Sequence, residues 1–379
     1  MDKSKLTQSE IRNMSLECDK VGGINLSQGI SNLGLHPFIK EGAFNAINQG
    51  YNYYTRFDGV DELRRAIAKK SNSYNQIKCS SEKNIIVSSG ATGALYSSLL
   101  GLLNRGDEII IFEPFYGYHL NTIYALGLVP VFVTLELPSL EINFEQLFKS
   151  ITKKTKAILI CTPSNPSGKI FTKQELLKIG EIVNEKKLFL FSDEIYEYFL
   201  YDDLKHISPA SLTSLKDRTI TISGFSKTFS ITGWRIGYCI VPEQFYETIG
   251  HINDLIYVCG PSPLQFGVAN GLDNLTEDFY NNIKTSFTKK RNLICEVLKD
   301  IGLDPIIPEG AYYILANVSK INGLTSKEKA MNILQKTKVA SVPGSAFYNS
   351  NGGENMVRFC FAKEDYELEN ACTNLLKLK

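Results

Sequence analysis

The stretch "TISGFSKTFSITGWRIGY" (221–238) sets one lysine, Lys227, among hydroxylated and apolar residues, with Arg235 eight positions later. A lysine acting as a nucleophile near neutral pH has to shed its proton, which desolvation or a neighbouring cation promotes. The small and apolar neighbours of Lys227 offer the first route. Arg235 stands between Trp234 and Ile236, where an unpaired guanidinium is costly and an anionic partner is expected. The bland alternative for both is an ordinary surface loop.

Other residues suggest related chemistry. Asp193, in "SDEIYEYF", ends an apolar run and precedes Tyr196 by three positions. A carboxylate there needs a cation or hydrogen bonds; it could hold a pyridine-type nitrogen protonated, or merely cap a helix. Asn165, in "CTPSNPSGK", lies between Pro163 and Pro166. The fixed proline φ angles can aim its amide, or simply make a turn. Gly90, Ala91 and Thr92 follow the run "NIIVSS" and open a helical stretch. Small residues at a helix N-terminus let a phosphate approach the backbone N–H groups, although they also serve close packing. A phosphate cradle, a carboxylate for a ring nitrogen, a reactive lysine and a phosphate-binding arginine together describe a pyridoxal phosphate site.

Those residues need a scaffold that gathers them. The runs "NIIVSS" (84–89), "DEIIIF" (107–112), "LVPVFV" (128–133), "TKAILICTP" (155–163), "KLFLFSDE" (187–194) and "RTITISG" (218–224) are short, apolar and separated by helical segments. They predict an α/β fold with a mostly parallel sheet covered by helices on both faces. In such sheets ligands bind beyond the carboxyl ends of the strands, and the segments "SSGAT", "EPFYGY", "TPSNPSG", "SDEIY" and "SGFSK" lie there. Thr172 and Glu175 form a capping box ahead of a helix whose apolar face is Leu176, Ile179, Ile182 and Val183. The last hundred residues read differently. An amphipathic helix over 280–302 precedes the strand-like "AYYILANV" and "MVRFCFA" and a final helix. The expected division is an N-terminal segment, 1–44, packing with a small C-terminal α+β domain, 276–379, and a large cofactor-binding domain, 45–275.

With 41 basic and 40 acidic side chains among 379 residues, the formal charge is +1, which excludes a general binder of nucleic acid or membrane surfaces. The polar start "MDKSKLTQSE" lacks the apolar core of a signal peptide. None of the eight cysteines forms a C-x-x-C pair, and the four histidines show no ligand spacing. Reduced, buried thiols in a cytoplasmic protein and no metal site are expected.

"SGFSKTFSITGWRIGY" resembles the cofactor-lysine signature of the class I/II aminotransferases, pyridoxal-phosphate enzymes of the aspartate-aminotransferase fold, and the resemblance runs from "INLSQGIS" (24–31) to "MVRFCFA" (356–362). It implies that Lys227 forms the Schiff base and shuttles the proton. Asp193 would pair with the pyridine nitrogen. Tyr196 and Asn165 would bond the phenolate oxygen, and Tyr116 in "EPFYGY" would stack on the ring. Gly90, Ala91 and Thr92 would cradle the phosphate with Arg235, joined by Tyr54 in "YYTRFDG" from the neighbouring subunit of a homodimer. Arg358 would clamp the substrate α-carboxylate, helped by Asn165 and by Gly29 in the strip that closes over it. Many members carry a hydroxyl residue where this chain has Gly224; Ser226 or Ser223 would have to replace it. Thr92 stands where an aspartate-using branch has a lysine.

The expected activity is amino transfer from an L-amino acid to a 2-oxo acid by a ping-pong route, with neutral or aromatic donors favoured. The alternatives are a lyase or synthase of the same fold, such as a carbon–sulfur β-lyase or a cyclopropane-forming synthase, or an aspartate aminotransferase proper. A ligand-sensing regulator of this fold would need an added DNA-binding module, for which no room is expected.

Overall fold

The computed structural model describes residues 9–31, 34–349 and 351–379; residues 1–8 of the N-terminal segment, with 32, 33 and 350, lie outside the described residues. A short strand, β1 (Ile24–Asn25), comes first. The central sheet follows: β2 (Ile85–Ser89), β3 (Glu108–Glu113), β4 (Val129–Thr134), β5 (Thr155–Cys161), β6 (Phe189–Asp193), β7 (Thr219–Gly224) and β8 (Ile236–Ile240). Its spatial order is β2-β8-β7-β6-β5-β3-β4. Strands β3 to β7 pair in parallel, whereas β8 runs antiparallel to β2 and β7. The mostly parallel α/β sheet therefore stands as expected.

The exception, β8, is not among the strands predicted above. It lies inside the arginine-bearing stretch, and its residues "IGYCI" are buried throughout. Its direction matters to the site. Because β8 is reversed, its start lies at the edge where its neighbours end: Ile236 sits opposite Ser89, and Gly237 opposite Gly224.

Alternation along β3 shows how the layers form. Ile109 and Ile111 pack on one face with Ala94, Leu95 and Leu99 of the helix Gly90–Leu102. Ile110 and Phe112 face the other way, against Leu176, Ile179 and Val183 of the helix Lys173–Glu185. Each such buried side chain contributes roughly 1.5–3 kcal/mol. The second helix begins with the expected capping box, the Thr172 hydroxyl accepting from the Glu175 N–H while the Glu175 carboxylate accepts from the Thr172 N–H.

After the helix Glu277–Asp300 come β9 (Asp304–Pro305), β10 (Tyr313–Asn317), β11 (Val339–Ala340), β12 (Val342–Pro343) and β13 (Met356–Cys360). The antiparallel order is β12-β13-β10-β9, with β1 pairing β11 in parallel beside it. The chain before the central sheet thus joins the C-terminal layer through β1, while the helix Pro37–Asn48 packs on the helix Ser262–Asn274. No helix among the described residues is long and apolar enough to cross a membrane.

Candidate active site

The ends of β2, β5, β6 and β7 and the start of β8 surround a cavity of ≈ 240 Å³ lined by Ala91, Thr92, Tyr116, Asn165, Asp193, Tyr196, Ser226, Lys227 and Arg235. These residues come from six separate segments. The common strand edge gathers them, as strand polarity requires.

At the bottom, Asp193 is buried at the last position of β6. One carboxylate oxygen lies 2.8 Å from His119 Nε2, and the other accepts the Ile195 N–H at 3.2 Å. His119 is buried and sits edge-on to Tyr116, with ring centroids 5.3 Å apart. Tyr116 in turn stacks on Tyr118 at 5.3 Å. Sequence reasoning missed His119. The available signal was its place three residues after Tyr116, one helical turn into Gly117–Ala125.

Lys227 Nζ donates to the Gly29 carbonyl at 3.0 Å and lies 6.0 Å from the Tyr196 ring centroid. Burial is the largest influence on the amine and lowers its pKa to about 8; Arg358 and Arg235 push the same way, against Cys360 and Asp193. The expected desolvation is thus physical: a buried ammonium loses hydration, so its neutral form is favoured.

At the opposite end, Gly90 begins the helix Gly90–Leu102 with φ +72°, and a Cβ on it would lie 2.3 Å from the Arg235 guanidinium. Arg235 itself holds a left-handed φ of +57°, and its guanidinium donates to the Thr232 carbonyl at 3.0 Å. A non-glycine residue in that region is strained, and the strain here turns the guanidinium to the helix N-terminus. Geometry bears on the residue at 224 and its two serine neighbours. A Cβ on Gly224 would press on Gly237 Cα at 3.0 Å, so strand packing favours glycine. Ser223 points elsewhere, to Glu197 at 3.2 Å, whereas Ser226 lines the cavity.

Arg358 enters from the C-terminal layer. It sits mid-strand in β13 and is fully buried, and its hydrogen-bond acceptors among the described residues are an amide oxygen and a backbone carbonyl, not a carboxylate. Its guanidinium donates to Asn165 Oδ1 at 2.8 Å and to the Ser27 carbonyl at 2.5 Å, lies over the Tyr313 and Phe347 rings, and leaves Nε without an acceptor. The strip around Gly29 is set by Asn25, whose side chain accepts from the Ser27 N–H at 3.0 Å, and by the Cys360 N–H bonding the Leu26 carbonyl at 2.7 Å. Tyr312 also donates to the Gly29 carbonyl, at 3.3 Å.

Tyr54 is not part of this gathering. It is 83% exposed beside Tyr53 on the outer surface. Arg56 clamps Asp58 through two hydrogen bonds of 3.0 and 3.1 Å. A second polar cluster, also missed from sequence, lies behind Asp193. Glu194, Glu197 and His206 bring ligand-type atoms within 4.8 Å of one another. Lys70 at 2.5 Å and Asn75 at 2.7 Å hold Glu197, while His206 at 2.7 Å holds Glu194. Internal pairing takes up most of the cluster's polar atoms, while Glu194 Oε1 and His206 Nδ1 are left without partners among the described residues.

The site fits pyridoxal phosphate on its own chemistry. A glycine-opened helix and Arg235 suit the phosphate, the Asp193–His119 pair suits a ring N–H, and the lowered amine of Lys227 suits a carbonyl. The family model "Aminotransferase class I and II" matches residues 21–375. The chain is 36% identical to an aspartate aminotransferase of Pyrococcus abyssi over 94% of its own length and 91% of that protein. It is 34% identical to aromatic-amino-acid aminotransferase 2 of Thermococcus litoralis, covering 98% and 95%. The solved structure of YbdL from Escherichia coli, with a methionine aminotransferase function, superposes with a TM-score of 0.95 at 26% identity, over 99% and 98% of the two chains. With sequence, fold and strand-edge residues in agreement, the chain belongs to the class I and II aminotransferases, pyridoxal-phosphate-dependent enzymes that move amino groups to 2-oxo acids.

Proposed function

We propose that this enzyme works by a ping-pong exchange in which a neutral or aromatic L-amino acid gives up its amino group and a 2-oxo acid then takes it. Bound pyridoxal phosphate would supply the carbonyl and the electron sink. Lys227 would bond to the cofactor and carry the α-proton, with burial lowering its pKa to about 8 and favouring the neutral amine. Asp193, steadied by His119, would keep the ring nitrogen protonated. Tyr196 and Asn165 would donate to the ring oxygen, and Tyr116 would lie against the ring. Gly90, Ala91, Thr92, Ser226 and Arg235 would hold the phosphate. Arg358 takes the α-carboxylate of donor and acceptor in turn, and the strip at Gly29 closes over it.

The observation that carries this reading is the buried Arg358 with its free Nε–H, set against the desolvated Lys227. An amino acid offers one carboxylate and one amine to such a pair. The preference for neutral donors rests on the cavity lining, where the cations are Lys227 and Arg235 and both have duties already. Thr92 supplies no charge, Arg56 of the same chain is held by Asp58, and Tyr116 and Tyr118 offer aromatic surface. Relatives named for aspartate, aromatic amino acids and methionine leave that choice to the pocket.

The homodimer and a cytoplasmic location belong to the same proposal, with Tyr54 reaching the phosphate of the partner's site. The exposed Phe44, Tyr53, Tyr54 and Leu255 support an apolar interface. Residues 45–275 would form the cofactor-binding domain, and 1–44 with 276–379 the small domain that brings Arg358. Side-by-side kinetics with phenylalanine, methionine, glutamate and aspartate at one fixed 2-oxo acid test the donor choice. A lead in kcat/KM for a neutral donor is expected, and a clear lead for aspartate overturns it.

A further inference from the structure

Tyr313 is absent from the reading above, yet it touches several of its parts. It opens β10, is buried, and its hydroxyl lies 2.9 Å from the hydroxyl of Tyr196. Its ring lies under the Arg358 guanidinium, 4.4 Å from centroid to Cζ. The Gly29 strip lies against the same hydroxyl, since a Cβ on Gly29 would come within 1.9 Å of it. Water therefore has little room to replace the Tyr313 hydroxyl beside Tyr196.

A tyrosine hydroxyl has one proton to give and lone pairs to receive. If Tyr196 spends its proton on the ring oxygen of the cofactor, its own oxygen can only accept from Tyr313. A donor placed behind a donor polarises it, and hydrogen bonds in such chains strengthen one another. The positive charge over the Tyr313 ring favours donation outward from that hydroxyl.

We propose that Tyr313 is a positioning residue that hydrogen-bonds the back of Tyr196 and so strengthens the bond from Tyr196 to the cofactor's ring oxygen. The inference rests on the reading that Tyr196 meets that oxygen. Strengthening the bond stabilises the anionic oxygen, which makes the nitrogen shared with Lys227 easier to deprotonate. Loss of the Tyr313 hydroxyl raises the pH at which the bound cofactor changes colour.

The test is a spectrophotometric pH titration of the holoenzyme's visible absorption for wild type, Tyr313→Phe, Tyr196→Phe and the double variant. Circular dichroism and cofactor stoichiometry check that each is folded and loaded. Tyr313→Phe is expected to raise the midpoint by roughly 0.3–1 pH unit, in line with one neutral hydrogen bond. Tyr196→Phe should raise it more, and the double variant no further than Tyr196→Phe alone. An unchanged midpoint in Tyr313→Phe, beside a shift in Tyr196→Phe, overturns the inference and leaves the site reading intact. Additive shifts in the double variant also overturn it, because Tyr313 would then act by another route. No shift in Tyr196→Phe overturns the Tyr196 reading and the inference with it.

Discussion

Replacing Arg358 by leucine tests the reading at the point where structure and chemistry are hardest to separate. The guanidinium is wholly buried and donates to Asn165 Oδ1 and the Ser27 carbonyl. Removing it leaves those acceptors without donors, at about 1–3 kcal/mol each if they stay dry. It also removes the proposed partner of the substrate carboxylate, at on the order of 2–5 kcal/mol. The second loss alone corresponds to roughly 30- to 4,000-fold in kcat/KM, at about 1.4 kcal/mol per decade. An amino acid and the amine left by its decarboxylation separate the two effects. Both have the reacting nitrogen, and only the first has the carboxylate. Single-turnover rates of the colour change with each donor, at excess enzyme, give the discrimination ratio. Arg358→Leu should shrink that ratio by two to three decades, nearly all on the amino acid side. Arg358→Lys, which keeps charge but not the planar fork, should fall between. If Arg358→Leu slows amine and amino acid in equal proportion, the residue is a structural strut and the carboxylate assignment fails.

Lys227 should leave a trace in the cofactor-free protein. With its pKa at about 8 in the folded chain against an ordinary 10.5, the unfolded chain binds the extra proton between those values. Stability should then rise with pH across that window, by up to about 3 kcal/mol relative to Lys227→Met; parallel urea-unfolding profiles for the two proteins would contradict this. Gly90→Ala forces a Cβ against Arg235 at a positive φ, so affinity for pyridoxal phosphate should drop about tenfold or more by equilibrium titration. Pyridoxal without the phosphate should bind nearly as before, and an equal loss for both would mean general damage. His119→Phe strands one Asp193 oxygen and should lower kcat/KM about tenfold or more, with His119→Asn recovering part; full activity would remove His119 from the site. Mixed dimers of Tyr54→Ala and Lys227→Ala chains should regain activity that neither homodimer has, unless each site is built from one chain.

Much of this was legible because strand ends carry a signature that periodicity cannot hide. An apolar run that breaks into "SGAT", "TPSNPSG" or "SDEIY" marks both the end of a buried strand and the mouth of a parallel sheet. Capping chemistry is equally local, and the Thr172–Glu175 box formed as read. What stayed hidden is pairing across distance. His119 looks like a stray histidine until the helix Gly117–Ala125 turns it onto Asp193. Lys70 and Glu197 are separated by 127 positions and meet inside the molecule. The strand β8 is hard to see in sequence because the buried "IGYCI" follows Arg235 directly, with no turn residue between them.

The same distinction explains the glycine at 224. Read along the chain, Gly224 is a place where a hydroxyl is lacking, and Ser223 and Ser226 are equal candidates to replace it. Read across the sheet, Gly224 faces Gly237, and Gly237 in turn presses on the helix start, where a Cβ would come within 2.3 Å of the Ala91 nitrogen. The pair of glycines lets β7 and β8 bring the loop of Lys227 and the turn of Arg235 close to Gly90. A Cβ at 224 would meet Gly237 Cα at 3.0 Å and the Ile236 carbonyl oxygen at 3.1 Å, a tight fit in which β8 would have to give slightly. Strand alternation separates the serines: Ser223 lies within β7 and turns to Glu197, whereas Ser226 lies past its end and lines the cavity. The close approach that crowds a side chain at 224 belongs to the same packing that brings the turn of Arg235 towards Gly90.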